Sequence, residues 1–234
     1  MKLIYEGKAK KIFQSEKTDQ LVMQFKDSLT AFNAQKKGSF QGKGALNLKF
    51  SLKIFEILSD HQVKHHFIEK LSDTEVVVRK LTMLPVEVVV RNFIAGSLAT
   101  RLGRTEGEPL KRALVEFYFK DDSLNDPMLT ENQILVLEIL SELQLKKCTE
   151  LALKINEVLF SLFEKVGVQL IDFKIEVGQD DQGLFYLADE ISPDSCRFWD
   201  AKTKQKLDKD VFRRDLGSVQ SAYLEIARKI GVVE

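Results

Sequence analysis

The sequence predicts an α+β protein of two packed lobes, a β-rich N-terminal lobe over residues 1–84 and a mixed α/β lobe over 85–234. Three observations predict this. Strand-like runs of β-branched and aromatic residues, separated by turn signals, fill most of the first eighty or so residues. Helical periodicity takes over after LPVEVVVRNF, and strict two-residue alternation then returns in VQLIDFKIEVG.

In chain order, KLIYEGKAKKIFQS, QLVMQFK and EVVVRKL read as strands. One helix interrupts them, roughly Gly44 to Ser59, with Leu46, Phe50, Ile54, Phe55 and Leu58 near helical spacing and packed on the β-rich lobe. A short helix follows around Ser97 to Arg104, with Ser97 at or near its N-cap. A helical pair starts near Thr130, where TENQ gives Thr130 and Gln133 the spacing of a capping box. Cys148, Leu151, Ala152, Ile155, Val158, Leu159, Leu162, Phe163 and Val166 make the clearest amphipathic stripe, ending at Gly167.

The strand that follows places Asp172, Lys174 and Glu176 on one face and Phe173, Ile175 and Val177 on the other. The loop GQDDQG returns the chain into LFYLADEISPDSCRFWD as an antiparallel hairpin. A last helix, about Ser218 to Ile230, carries Ala222, Tyr223, Ile226, Ala227 and Ile230 on one stripe. No internal repeat or flexible linker separates the lobes.

Composition narrows the function classes. With 35 basic and 35 acidic residues the net charge is zero, so no bulk field draws the chain to nucleic acid or an anionic membrane, and any anion site is local. The apolar runs are too short to span a bilayer, and no signal peptide is visible. Cys148 and Cys196 make no disulfide framework and lack metal-ligand spacing, which suits a reduced cytoplasm. Cys148 lies on an apolar stripe and reads as core; His61, His65 and His66 lie in a polar stretch and read as surface.

Several segments carry chemistry. If the hairpin register places the acids together, carboxylates from both strands converge, and an oxygen-only set suits Mg²⁺. A one-residue slip exchanges Asp189 for Glu190 on that face, and a solvated face with ordinary ion pairs fits the same pattern. YEGKAKKIF offers Gly7 for close backbone approach and Lys8 and Lys10 on one side for phosphate oxygens, although a short lysine cluster also suits a solvated face. KLTMLP, with Met83, can form a flat apolar slot with hydrogen-bonding edges. Arg91, Ser97 and Arg101 gather around a helix start as a phosphate site, or as an ion pair and a cap.

Together these segments resemble the phosphoribosylaminoimidazole-succinocarboxamide synthase family of purine-pathway ligases. The resemblance runs through YEGKAKKIF, TAFNAQKKGSFQGKGALN, LPVEVVVRNFIAGSLATRLG, DPM, LIDFKIEVG, LADEISPDSCRFWD and FRRDLG, in order over essentially the whole chain. It implies a fold of two lobes related to ATP-grasp ligases, with ATP and Mg²⁺ as cofactors, and L-aspartate and an imidazole ribonucleotide carboxylate as substrates. It further implies a cytoplasmic homodimer.

Residue by residue, the resemblance implies that Gly7, Lys8, Ala9, Lys10 and Lys11 cover the ATP phosphates, and that Lys80, Met83 and Pro85 line the adenine pocket. Glu176 and Asp189 hold the metal, with Glu190 close by. Arg91, Ser97 and Arg197 grip the ribose phosphate, Lys174 and Asp172 lie near the reacting carboxylate, and Lys120 and Asp126 contact substrate. Many members carry a second asparagine after GKGxxN, where this chain has Leu48. A small-molecule kinase using the same cleft and a catalytically silent nucleotide-binding module are the rival readings; the first turns over without aspartate, the second not at all.

Overall fold

The structure, a computed structural model, describes residues 1–31 and 35–234; residues 32–34 of the TAFNAQKKGSFQGKGALN motif lie outside them. The first third of the chain forms strands β1 (Leu3–Glu6), β2 (Lys10–Gln14), β3 (Gln20–Phe25), β4 (Ser28–Ala31) and β5 (Lys36–Ser39). Helix α1 (Lys43–Asp60) follows, then β6 (Phe67–Lys70) and β7 (Glu75–Arg79). β1, β2, β3, β7 and β6 lie side by side in that order as one sheet, and β4 pairs with β5.

The second part comprises β8 (Thr82–Phe93), α2 (Gly96–Leu102), β9 (Pro109–Phe119), β10 (Met128–Leu129), α3 (Glu131–Val136) and α4 (Glu142–Lys165). After these come β11 (Val168–Gln179), β12 (Phe185–Ala188), β13 (Cys196–Asp200), α5 (Asp210–Arg213) and α6 (Val219–Lys229). The larger sheet runs β10-β9-β8-β11-β12. β13 also pairs with β11, along its N-terminal half, so one edge of β11 serves two strands in succession. Among the described residues no helix is long and apolar enough to cross a membrane.

The sequence pattern accounts for most of these elements. Thr130 and Gln133 form the expected capping box, and Ser141 with Gln144 forms a second at the start of α4. Gly167 follows α4 in the left-handed conformation that glycine adopts without steric cost. β9 was not foreseen, because Lys111 and Arg112 break the apolar pattern of PLKRALVEFYF; its burial comes late, at Glu116 and Phe117, opposite Val89 and Val88 of β8.

Helix α1 also departs from expectation. Leu48 packs on Met23, Phe25, Val76 and Val78 of the smaller sheet. Leu46, Phe50, Ile54, Phe55 and Leu58 instead enter the large core with residues of β8, α4, β11 and α6. Phe50 and Phe163 stack at 6.4 Å, and both rings meet Phe198, at 5.8 and 4.4 Å. The helix is therefore shared between the sheets, and its apolar girth locks them together. Leu48, where the resemblance led to an expected asparagine, is one of its core residues.

Candidate functional site

Two neighbouring strands set out the site. β8 and β11 are antiparallel, with Arg91 opposite Asp172, Val89 opposite Lys174, and Glu87 opposite Glu176. All six share a face, because side chains two apart along a strand point the same way. One end of this row thus pairs opposite charges and the other pairs like charges. Lys174 stands between them, ion-paired with Glu87 and 4.0 Å from Glu176.

A cavity of about 580 Å³ opens over the Glu87–Glu176 end, between the two sheets. Gly7, Lys8, Ala9 and Lys10 form one wall, and Glu87, Lys120, Asp126, Lys174, Glu176 and Asp189 form the polar floor. Ile12, Leu21, Met23, Val78, Leu81 and Met83 make an apolar side suited to a flat ring. Three of the four floor carboxylates have a lysine, Lys174 for Glu87, Lys120 for Glu176 and Lys10 for Asp189, and Asp126 accepts from the backbone N–H of Asp121. Lys10 also reaches Glu190 at 2.6 Å.

The electrostatics of this floor are poised. Burial raises the Glu87 pKa, opposed by Lys174 and reinforced by Glu176 and Asp126. Burial works against the charge on Asp189 too, yet Lys10 and Lys174 outweigh it and hold its pKa below the ordinary value. Among the described residues no three acidic, histidine or cysteine side chains converge as a ready cation cage. The donors nevertheless fit Mg²⁺: Glu87 and Glu176 face each other as like charges, Asp189 lines the same cavity, and Mg²⁺ commonly takes one or two carboxylates with the remainder from phosphate and water.

A second cavity, of about 330 Å³, lies over the Arg91–Asp172 end and shares Glu87 and Lys174 with the first. Arg91 is 3% exposed and fully engaged. Its Nε donates to Glu116 at 2.6 Å, one terminal nitrogen to Asp172 at 2.7 Å, and the other to Ser97 and Tyr118 at 3.0 and 3.2 Å. Arg197 donates to both Asp172 oxygens, at 3.0 and 2.9 Å, and through Nε to Asp210 at 3.0 Å. Asp172 thus clamps both guanidinium groups, and their fork geometry suits a phosphate.

Glycine is required beside this clamp. Gly96 has φ 52°, and a Cβ there would lie 2.6 Å from a terminal nitrogen of Arg197. On the far wall, Asp194 is held by Lys43 at 2.6 Å and by the Tyr223 hydroxyl at 2.5 Å. Burial opposes the charge of Asp194, but Lys209 and Lys43 bring its pKa down to about 2. Lys209 and Arg213 complete the cationic lining, and Arg213 is itself held by Asp210 at 2.6 Å.

Most expected site residues meet at these two cavities, with instructive exceptions. Lys11 falls on the opposite face of β2 from Lys10 and pairs with Glu6 at 3.8 Å, outside the cavity lining. Pro85 is exposed and lines neither cavity; Lys80 lines a separate polar cleft with Asp19 and Asp180. Glu190 is buried behind the floor, accepting from Asn47 at 3.3 Å and Ser192 at 2.5 Å. Ser97 is not a cap: α2 starts at Gly96 with Ala95 as N-cap, and the Ser97 hydroxyl serves Arg91 instead.

Lys120 and Asp126 stand in the first cavity, and Arg101 pairs with Glu116 behind the second. His66, expected at the surface, is buried and lines the first cavity. Glu87, His66, Lys43, Asp194 and Asp210 were missed as site residues. Glu87 is a lone acid among valines, on the strand face opposite the buried Val86, Val88 and Val90.

Comparison with known proteins fits this geometry. The model of the SAICAR synthetase family matches residues 3–230. A phosphoribosylaminoimidazole-succinocarboxamide synthase from Lysinibacillus sphaericus is 53% identical over 229 residues, covering 98% of this chain and 97% of its own. The crystal structure of the synthase from Ehrlichia chaffeensis superposes with a TM-score of 0.96 at 44% identity, over 100% of both chains. A SAICAR synthetase solved in complex with ADP superposes with a TM-score of 0.94 at 50% identity, over 98% of this chain and 97% of its own.

Proposed function

The chain belongs to the SAICAR synthetase family, and from that premise we propose how its two cavities perform the family's reaction. The enzyme is an ATP-dependent ligase of purine biosynthesis. It joins L-aspartate to the carboxylate of 5-amino-1-(5-phosphoribosyl)imidazole-4-carboxylate and releases ADP and phosphate. The observation that carries the reading is that the two cavities share Glu87 and Lys174, so two anionic substrates can meet over one strand pair.

In this reading residues 1–84 form the lobe over the ATP phosphates, and 85–234 carry the metal and imidazole nucleotide sites. Gly7, Lys8, Ala9 and Lys10 cover the phosphates, and Met83 with Leu81 and Ile12 receives the adenine ring. Glu176 and Asp189 would hold Mg²⁺, which when bound offsets charge on the transferring phosphoryl group. Glu190 acts behind them as a partner of Lys10. Lys120 and Asp126 contact the nucleotide side rather than the imidazole side.

Arg91, Ser97 and Arg197 receive the ribose phosphate in the second cavity, Arg91 by exchanging its bonds to Ser97 and Tyr118 for phosphate oxygens, and Asp172 holds the two arginines in place. Asp172 is committed to those guanidinium groups and so works as a positioning residue, not as a base. Lys174, whose charge is sustained by Glu87 and Glu176 against burial, sits where the imidazole carboxylate meets the γ-phosphate. The carboxylate oxygen attacks the γ-phosphorus in line and ADP leaves. The neutral amine of aspartate then attacks the acyl phosphate carbon: the C–N bond forms, the C–O bond breaks with its oxygen and electron pair leaving on phosphate, and the amine gives up a proton. Positioning and charge stabilisation supply much of the rate. The family resemblance extends the reading to a cytoplasmic homodimer.

The test is ADP release with ATP, Mg²⁺, L-aspartate and the imidazole carboxylate nucleotide, each omitted in turn, repeated with Glu176→Gln and Arg197→Ala. Turnover is expected to need all four and to collapse in both variants. ADP release without aspartate would instead indicate a kinase. Oxygen-18 in the substrate carboxylate is expected in the released phosphate; label retained wholly in the product excludes the acyl phosphate.

A further inference from the structure

His66 occupies the seam between the two sheets. Its backbone N–H donates to Leu187 of β12 at 2.9 Å, and its carbonyl accepts from Arg79 of β7 at 2.7 Å. Residues 64–66 thereby run beside the end of β12, with Leu187 donating to Lys64 at 2.9 Å and a parallel bridge between His65 and Leu187. The imidazole is 5% exposed and meets the Phe55 ring of α1 edge-on at 5.9 Å. Its Nε2 lies 2.9 Å from the carbonyl oxygen of Asp189. A carbonyl only accepts, so Nε2 carries the hydrogen.

The peptide that receives this bond is unusual. Asp189 has φ 60°, in the left-handed region that a side chain with a Cβ seldom occupies. At this turn the chain carries two carboxylates in succession that share Lys10 and otherwise have different surroundings. Asp189 lines the first cavity, whereas Glu190 turns inward to Asn47 and Ser192. Rotation of the 189–190 peptide is the motion that would redirect them, and the carbonyl of Asp189 is the handle on that rotation.

We propose that His66 is a positioning residue for Asp189: its Nε2–H holds the Asp189 carbonyl so that Asp189, and not Glu190, presents its carboxylate to the nucleotide-bound cation. The inference rests on the reading above that Asp189 is a cation ligand. Because the same residue bonds both sheets through its backbone, the cation floor is also fixed relative to the lobe that brings the lysines.

The experiment counts free Mn²⁺ by electron paramagnetic resonance as it binds to the protein–ADP complex. His66→Leu removes the donor; His66→Gln returns an N–H where Nε2 stood. Losing a buried hydrogen bond of this kind is expected to weaken Mn²⁺ binding about tenfold in His66→Leu, with His66→Gln recovering most of it. Because His66 lines the first cavity, metal-free ADP is expected to weaken, but by clearly less than Mn²⁺, while affinity for the imidazole nucleotide in the second cavity stays near that of the parent protein.

Wild-type Mn²⁺ affinity in His66→Leu, equal weakening of metal-free ADP, or no recovery in His66→Gln would each overturn the proposal. Should His66→Leu not fold, His66→Asn, whose shorter amide falls short of the carbonyl, takes its place. Asp189→Asn separates the two levels of inference. If it too binds Mn²⁺ like the parent, the ligand assignment itself fails; if it loses Mn²⁺ while His66→Leu does not, only the positioning role fails.

Discussion

The two cavities are built from opposite kinds of ion pair. In the first, three floor carboxylates each rest on a lysine, a point charge on a flexible stem. In the second, the arginines are pinned through planar forks to Asp172, Glu116 and Asp210, all nearly inaccessible to solvent. The difference teaches what each is for. On the proposed reading, lysine contacts can be exchanged when a nucleotide and its cation arrive, which would let the first cavity rewire during turnover. The arginine clamp is assembled in advance, and on the same reading it would gain affinity by having little left to order.

The sharpest way to break this contrast is to cut the clamp at its hub. Asp172→Asn leaves two buried guanidinium groups short of their shared anion, a loss on the order of 3–5 kcal/mol for a broken buried pair. Urea unfolding is expected to show that loss, and calorimetry is expected to show failure to bind the imidazole nucleotide. Unchanged stability would mean the second cavity is as adaptable as the first. In the first cavity, Glu176→Gln is expected to lower kcat by about a hundredfold or more while stability moves by less than about 1 kcal/mol. Steady-state rates and melts on the same preparation separate the two outcomes.

A finer test is Gly96→Ala. The added Cβ meets Arg197 at 2.6 Å from a residue whose φ is 52°. The left-handed backbone alone costs about 1–2 kcal/mol with a side chain. KM for the imidazole nucleotide is expected to rise while KM for ATP stays put; a rise in both would blur the boundary between the cavities.

The smallest effect lies outside the clamp, at Glu106, which accepts from Gly96 at 2.9 Å and from Arg214 at 2.7 and 2.6 Å. Arg214, opposed by partial burial and aided by the Gly96 amide, brings the Glu106 pKa down to about 2. Its folded pKa is depressed, so its stabilisation is complete above the ordinary value of 4.5 and is lost as pH falls through about 2. For so exposed a pair the amount is under about 1 kcal/mol. Acid unfolding of Glu106→Gln is expected to be flatter across that window; an identical acid limb would remove Glu106 from the clamp's outer support.

Legibility from sequence followed the range of the interactions. The alternation of Asp172, Lys174 and Glu176 is local, and it correctly placed three side chains on one face. Alternation also separates Lys10 from Lys11, a consequence of strand geometry that the motif as a block conceals. Glu87 becomes informative only when β8 lies in register beside β11, a pairing no local pattern specifies. His66 sits in DHQVKHHF, polar enough to read as surface, and is buried only because α1, β7 and β12 close around it. β9 was hidden because half of its length faces solvent with lysine and arginine.

One strand carries a further consequence. From Asp172 through Lys174 to Glu176, β11 passes from one cavity to the other in register with β8. Each two-residue step along a strand is about 6.6–6.8 Å, so the span between the two cavities is set by the pitch of an extended backbone. A loop absorbs an inserted or deleted residue by rerouting, but here a change of one would turn every side chain beyond it to the wrong face. This stretch should therefore tolerate substitutions at its core-facing positions far better than any change in length, whereas the Asp180–Gly183 turn that follows can lengthen without disturbing the gauge.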